Sequence, residues 1–232
     1  MKALTSILVM FIVAGCSNDA FQPEPITNND DLYKKSGKNG KNRSNPHAQA
    51  GAVYQELLNE YYLLPKGSGD MGMVIARIDS IAAQNTEFAL LNSASPYSPL
   101  STADVAPYLN GGELSELLSQ DYSAHAADIL MDVAVALEDM KAQDLPYQDV
   151  ESYFRNLDSN IQDDPLLPDE EKEALFTTTT IICNALDNDR KRKRRDRDWE
   201  WMTTHLAGTA NAAMESIPQA IMMSLAIDVY HD

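Results

Sequence analysis

The 232 residues include only 2 cysteines and 2 tryptophans, and 18 lysines and arginines stand against 35 aspartates and glutamates. Two cysteines cannot build a disulfide framework, so a folded domain here must stand on its packed core. The shortage of cations leaves a formal net charge of -17 at pH 7. That balance excludes the basic footprint by which nucleic-acid-binding domains are recognised. No run of about 20 apolar residues occurs, and a helix needs one to span a bilayer. Neither H-E-x-x-H nor G-x-S-x-G is present. His47, His205 and His231 therefore have no partner in a familiar catalytic or metal-binding spacing.

What the chain does contain begins at its N-terminus. Lys2 supplies a small positive charge, and Ala3 to Ala14 form an almost wholly apolar stretch. Its length and flanks are those of a secretory signal peptide. Val13-Ala14-Gly15-Cys16 at its end resembles the lipobox of bacterial lipoproteins. The resemblance implies cleavage before Cys16, diacylglycerol on its thiol and, often, acylation of the new amino terminus. Ser17, where sorting reads that position, favours the outer membrane. Acylated Cys16 would leave Cys183 as the only thiol, with no intrachain disulfide available.

Residues 1–15 are thus expected to be a lipoprotein signal peptide and 16–45 a lipidated tether. Residues 17–45 contain six Asn, two Pro and two Gly. They hold too little apolar surface to offset the entropy of ordering. Lys34, Lys35, Lys38, Lys41 and Arg43 form a basic cluster within it. Such a cluster serves either as a solvated linker or as a second contact with anionic lipid.

Residues 46–232 carry helical periodicity throughout and little alternation, which predicts an all-α, multi-helix bundle of about seven or eight helices. The first helix is expected to open at Asn45-Pro46 and to bury Val53, Tyr54, Leu57, Leu58 and Tyr61. A second follows from about Asp70 to Gln84, with Val74, Ile75, Ile78, Ile81 and Ala82 inward. Ser93 to Pro99 reads as a turn-rich connection, with short helical pieces near Ser101 to Leu109 and Glu113 to Leu118. Tyr122, Ala126, Ile129, Val133, Leu137 and Met140 mark a helix from Asp121 to Ala142. Another, from Tyr147 to Ile161, turns Val150, Phe154, Leu157 and Ile161 inward. Thr177 to Ile182 is β-branched, yet Leu175, Thr178, Ile182 and Leu186 keep helical phase, so a helix is favoured over a buried strand. The chain either turns at Asp187-Asn188-Asp189 or runs on as one long helix. Ala210 to Val229 reads as a core helix, kinked or restarted near Pro218.

Several constellations are candidate sites. Gly67-Ser68-Gly69-Asp70-Met71-Gly72 matches G-x-G-x-x-G, but no strand precedes it and Asp70 puts an anion where phosphate would sit; a helix-helix turn is the expectation. Asp158, Asn160, Gln162, Asp164 and Asp169 fall at the ligand positions of a calcium loop, although Asp163 replaces the Gly of the bend and Asp169 the bidentate Glu. Asx-turns and a helix cap account for the same residues. Asp121, His125, Asp128 and Asp132 line one side of a helix, where a divalent metal or plain solvation would suit them. Arg190, Lys191, Arg192, Lys193, Arg194, Arg195 and Arg197 form a basic run beside Trp199 and Trp201. It is either a locally ion-paired surface segment or an interaction patch for the acidic body, an envelope protein or anionic lipid. Cys183, in an apolar run, is expected to be a buried thiol.

Beyond the lipobox, the pattern resembles uncharacterised helical lipoproteins of Bacteroidota. The shared features are the Asn/His helix start near residue 45, the helix opened by Asp169-Glu170-Glu171-Lys172, the charged tryptophan stretch and the Ala-rich tail. That resemblance implies no activity. The function expected from the sequence is a lipid-anchored, outer-membrane protein with a binding or scaffolding role, with the membrane as partner through its anchor. It would need no cofactor beyond the lipid on Cys16. The alternative is a metal-dependent envelope hydrolase using carboxylates.

Overall fold

The computed structural model describes residues 47–65, 69–109, 112–118, 121–191 and 199–230, with only the backbone at 190, 191, 199 and 200. All of them fall in one unit, Asn39–Asp232. Helices come in the order α1 (Ala48–Leu63), α2 (Met71–Ala82), α3 (Thr86–Ala94), α4 (Thr102–Val105), a 3-10 turn (Ala106–Tyr108) and α5 (Leu114–Leu117). They continue with α6 (Ala124–Ala142), α7 (Tyr147–Asp163), α8 (Asp169–Lys191), α9 (Trp199–Glu215) and α10 (Ile217–Tyr230). Eight of these run nine residues or longer, and no strand occurs among the described residues. The protein is an all-α bundle.

The last helix lies at its centre. Every residue of α10 from Pro218 to Val229 is buried. It packs on α9, α1, α2 and α8 and touches α3 as well. A helix this short and apolar all round can be stable in water only when neighbours cover each face. The break before it has a simple cause. Pro218 has no N–H to donate to the preceding turn, so the chain restarts at Ile217. Ser216 caps the new helix, its Oγ accepting from Gln219 N at 3.1 Å.

Around α10, α1 runs beside α8, and α9 covers both α8 and α10. Two glycines set the close approaches. A Cβ on Gly51 of α1 would collide with the Asn184 and Thr180 side chains and lie 2.8 Å from the Thr180 carbonyl oxygen on α8. A Cβ on Gly208 of α9 would run into Ile227 of α10. α7 packs on α8, while α6 leans on α9, α8 and α5.

The threonine run of α8 shows how a β-branched stretch becomes a buried helix. Thr177, Thr178, Thr179 and Thr180 are all buried. Thr178 Oγ1 donates to the Ala174 carbonyl at 2.8 Å, and Thr179 Oγ1 reaches Phe176 O at 3.1 Å and Asp158 Oδ1 at 2.8 Å. Hydroxyls satisfied within the helix or by a neighbouring carboxyl carry no desolvation penalty. α8 also continues unbroken through Asp187-Asn188-Asp189 to Lys191. The chain therefore does not turn at 187–189.

Expected core stripes recur with small rotations. Val53, Tyr54, Leu57 and Leu58 of α1 are buried, as are Val74, Ile75, Ile78, Ile81 and Ala82 of α2. On α6 the buried line runs through Ala126, Leu130, Val133, Ala134 and Leu137, leaving Ile129 and Met140 half-buried. α3 fills the stretch between the expected second helix and the turn-rich connection of Ser93 to Pro99, and its last two residues overlap that connection. Asn85 starts the helix by accepting from Phe88 N at 2.8 Å, and only Phe88 is buried.

Candidate functional site

The densest chemistry-bearing cluster sits where α1, α9 and α10 meet. Tyr54 Oη donates to Asp228 Oδ2 at 2.6 Å, and His205 Nε2 lies 2.5 Å from Ser224 Oγ. Ser224 and Asp228 are one turn apart on α10, so both face the same neighbours. The Trp201 ring centroid lies 5.0 Å from that of His205, and the Tyr54 ring 6.3 Å from it. A serine bonded to a histidine has the geometry of a nucleophile with its base. Here, however, Tyr54, His205, Ser224 and Asp228 are each exposed by no more than 2%. Ser224 also lies mid-helix, where neighbouring N–H groups are committed to helix carbonyls and cannot converge on an oxyanion. The cluster acts as a polar lock between three core helices. Its signal in the sequence is the pair of polar residues at 224 and 228 inside an otherwise apolar helix, which the sequence pattern alone does not connect to Tyr54 or His205.

The five calcium-loop candidates are dispersed. Asp158, Asn160 and Gln162 lie within α7, which stays helical to Asp163. A helix spreads such positions around its axis instead of wrapping them about an ion. Asp158 points inward, 1% exposed, and accepts from Thr179 Oγ1; Asn160 and Gln162 are exposed. Asp164 turns to His125 Nε2 at 2.7 Å and accepts from Leu166 N at 2.8 Å. Those two bonds, His125 first, hold its carboxyl below the usual carboxylate range. Asp169 opens α8. Among the described residues no three His, Cys, Asp or Glu side chains are grouped to hold a metal ion.

On α6, Asp121 just before the helix, Asp128 and Asp132 are exposed, and His125 is spoken for by Asp164. Glu171 is the carboxyl that grips this helix. It accepts from Ser123 N at 2.5 Å and from Ser123 Oγ at 2.8 Å, at the positive end of the α6 dipole. Sequence reading treats Glu171 only as a first-turn acid of α8, because a contact 48 residues away leaves no local trace.

The remaining candidates are placed as follows. Asp70 caps α2 by accepting from Met73 N at 3.1 Å, so the position a phosphate would take is filled; Gly67 and Ser68 lie outside the described residues. Helix α1, and no strand, precedes that turn. Arg192, Lys193, Arg194, Arg195 and Arg197 also lie outside them, with Arg190 and Lys191 traced as backbone at the end of α8 and Trp199 as the first residue of α9. Trp201 is 3% exposed and packs on His205, so it belongs to the core and is not a surface anchor. Cys183 is a buried thiol, 3.5 Å from Tyr147 Oη. His47, at the start of α1, stacks on Phe176 with centroids 6.0 Å apart. Burial lowers its pKa, with Glu173 opposing. Cys16, the tether cations and His231 fall outside the described residues.

No protein-family model, curated protein or solved structure matches the chain. What it does is therefore argued from its own residues. No helix of the described residues is long and apolar enough to cross a membrane.

Proposed function

We propose that this chain is a lipid-anchored helical protein of the bacterial cell envelope, held at the outer membrane through Cys16, that acts by binding or scaffolding. The observation that carries the reading is Val13-Ala14-Gly15-Cys16 at the end of a short apolar run. Several acyl chains on one cysteine give durable attachment, at about 0.8 kcal/mol for each buried methylene. The buried carboxyls at 158, 171 and 228 are spent on the bundle itself, which fits a binding role. Asp228 is bonded to Tyr54, Asp158 to Thr179 and Glu171 to Ser123. The alternative, a metal-dependent hydrolase working through carboxylates, needs such groups to converge on one point, and no geometry described above favours it.

Fractionation of cells making the wild type and Cys16→Ala tests the anchor. Wild type should sediment with membranes and leave them only in detergent, and the variant should not. Identical partitioning of the two would overturn the anchor. For the binding role, crosslinking in intact envelopes should trap a defined protein neighbour. Recovery of lipid alone would argue against scaffolding.

A further inference from the structure

The helix at the centre of the bundle is also the last of the described helices to be synthesised. α1, α2, α3, α8 and α9 all pack on α10, and each of them precedes it in the chain. The bonds that seat α10 reach far back. Asp228 accepts the Tyr54 hydroxyl of α1 across 174 residues, and Gln219 Oε1 accepts from Ser98 N at 3.1 Å across 121. Nearer in sequence, His205 Nε2 of α9 meets Ser224 Oγ, and Gly208 leaves room for Ile227. α2 and α3 have α10 as their main partner, and neither packs comparably on α8 or α9. α1 does pair with α8, yet that pairing itself needs residues 176 to 184.

We infer that α10 is a closing element: the helices made before it stay loosely associated until residues 217–230 have been made. The entropy of closing a long loop is lost before the contacts at its ends can form. A bundle without its central helix also turns the inward apolar faces of the surrounding helices to water. Folded domains are too marginally stable to tolerate that exposure. The consequence for the cell rests on the signal peptide and anchor proposed above. α10 begins about 200 residues after Cys16, so at about 5–20 residues per second roughly 10–40 s of synthesis separate the two. Throughout that interval the chain is open and can thread through a membrane channel, which a closed bundle could not do.

The test follows the full chain as it is made. Ribosome-bound chains reaching residue 163, 191, 215 or 230 are each joined, through one unstructured linker that clears the exit tunnel, to an arrest peptide whose release reports the pull of folding. Release should stay at the unfolded baseline for the first three and rise several-fold once residues 217–230 are included. The full-length chain carrying Ile221→Asp, which puts a carboxylate at a position 0% exposed, should stay at baseline. Release at 191 or 215 equal to that at 230, or undiminished release in Ile221→Asp, would overturn the closing role of α10. Cleavage of the wild type before Cys16 in cells is followed in parallel. Its absence would overturn the anchor and the export consequence, while the release profile still decides the order of closure.

Discussion

Tyr54 and Asp228 join two core helices through a 2.6 Å bond across 174 residues of sequence. Tyr54→Phe keeps the ring in place and removes the side-chain hydroxyl, leaving the Asp228 carboxyl short of that donor. A buried polar group stripped of a partner costs about 1–3 kcal/mol. Urea unfolding should show that loss, and Tyr54→Phe combined with Asp228→Leu should cost less than the two singles added. Gly51 sets two effects against each other. Alanine gains roughly 1 kcal/mol in helix propensity over glycine. Its methyl, however, would press on the Thr180 carbonyl and the Asn184 side chain of α8. Overpacking of that kind costs typically 1–3 kcal/mol, and a backbone oxygen cannot swing aside as a flexible side chain can. Gly51→Ala should therefore destabilise, and a raised urea midpoint would show that α1 and α8 sit further apart than described.

Among the elements, burial ranks the helices by resistance to opening. α10 is covered on every face, α8 is buried from Ala174 to Cys183, and α3 contributes only Phe88 to the core. Amide hydrogen exchange should thus be slowest in α10 and fast in α3. Equal protection of α3 and α10 would contradict the central position of the last helix. The same contrast explains what the sequence discloses. α2 is readable because Val74, Ile75, Ile78 and Ile81 form one stripe at helical spacing. α3 is not, because its one fully buried residue, Phe88, makes no stripe, with Leu91 half-buried and Leu90 exposed. α10 is visible as apolar, but a helix apolar all round gives no phase from which to tell its neighbours. The carboxyls at 158, 171 and 228 look like surface acids or ligands because their partners, Thr179, Ser123 and Tyr54, lie 21, 48 and 174 residues away.

For the whole molecule, pH acts on stability through His47 and Asp164. His47 has a pKa lowered from 6.5 by burial, so below 6.5 the unfolded chain takes up a proton that the fold resists, and stability falls. Asp164 has a pKa lowered from 3.8 by its bond to His125, so its contribution is present above that value and is lost as pH falls further. Measured in 0.15 M salt, which screens exposed charges beyond about 8 Å, the melting temperature of wild type should fall relative to His47→Gln as pH drops through 6.5. Relative to Asp164→Asn it should fall only below 3.8. A difference from His47→Gln that stays constant from pH 7 to pH 5 would contradict the burial of His47.

The central proposal is that Cys16 is lipidated and holds the chain at a membrane. The most direct measurement is the intact mass of the protein extracted from the membranes of a lipoprotein-processing bacterium that makes it. The predicted species begins at Cys16 and carries the added mass of diacylglycerol, with or without a further acyl chain on its amino terminus. A chain that starts at Met1, or one cut elsewhere with Cys16 unmodified, would contradict it.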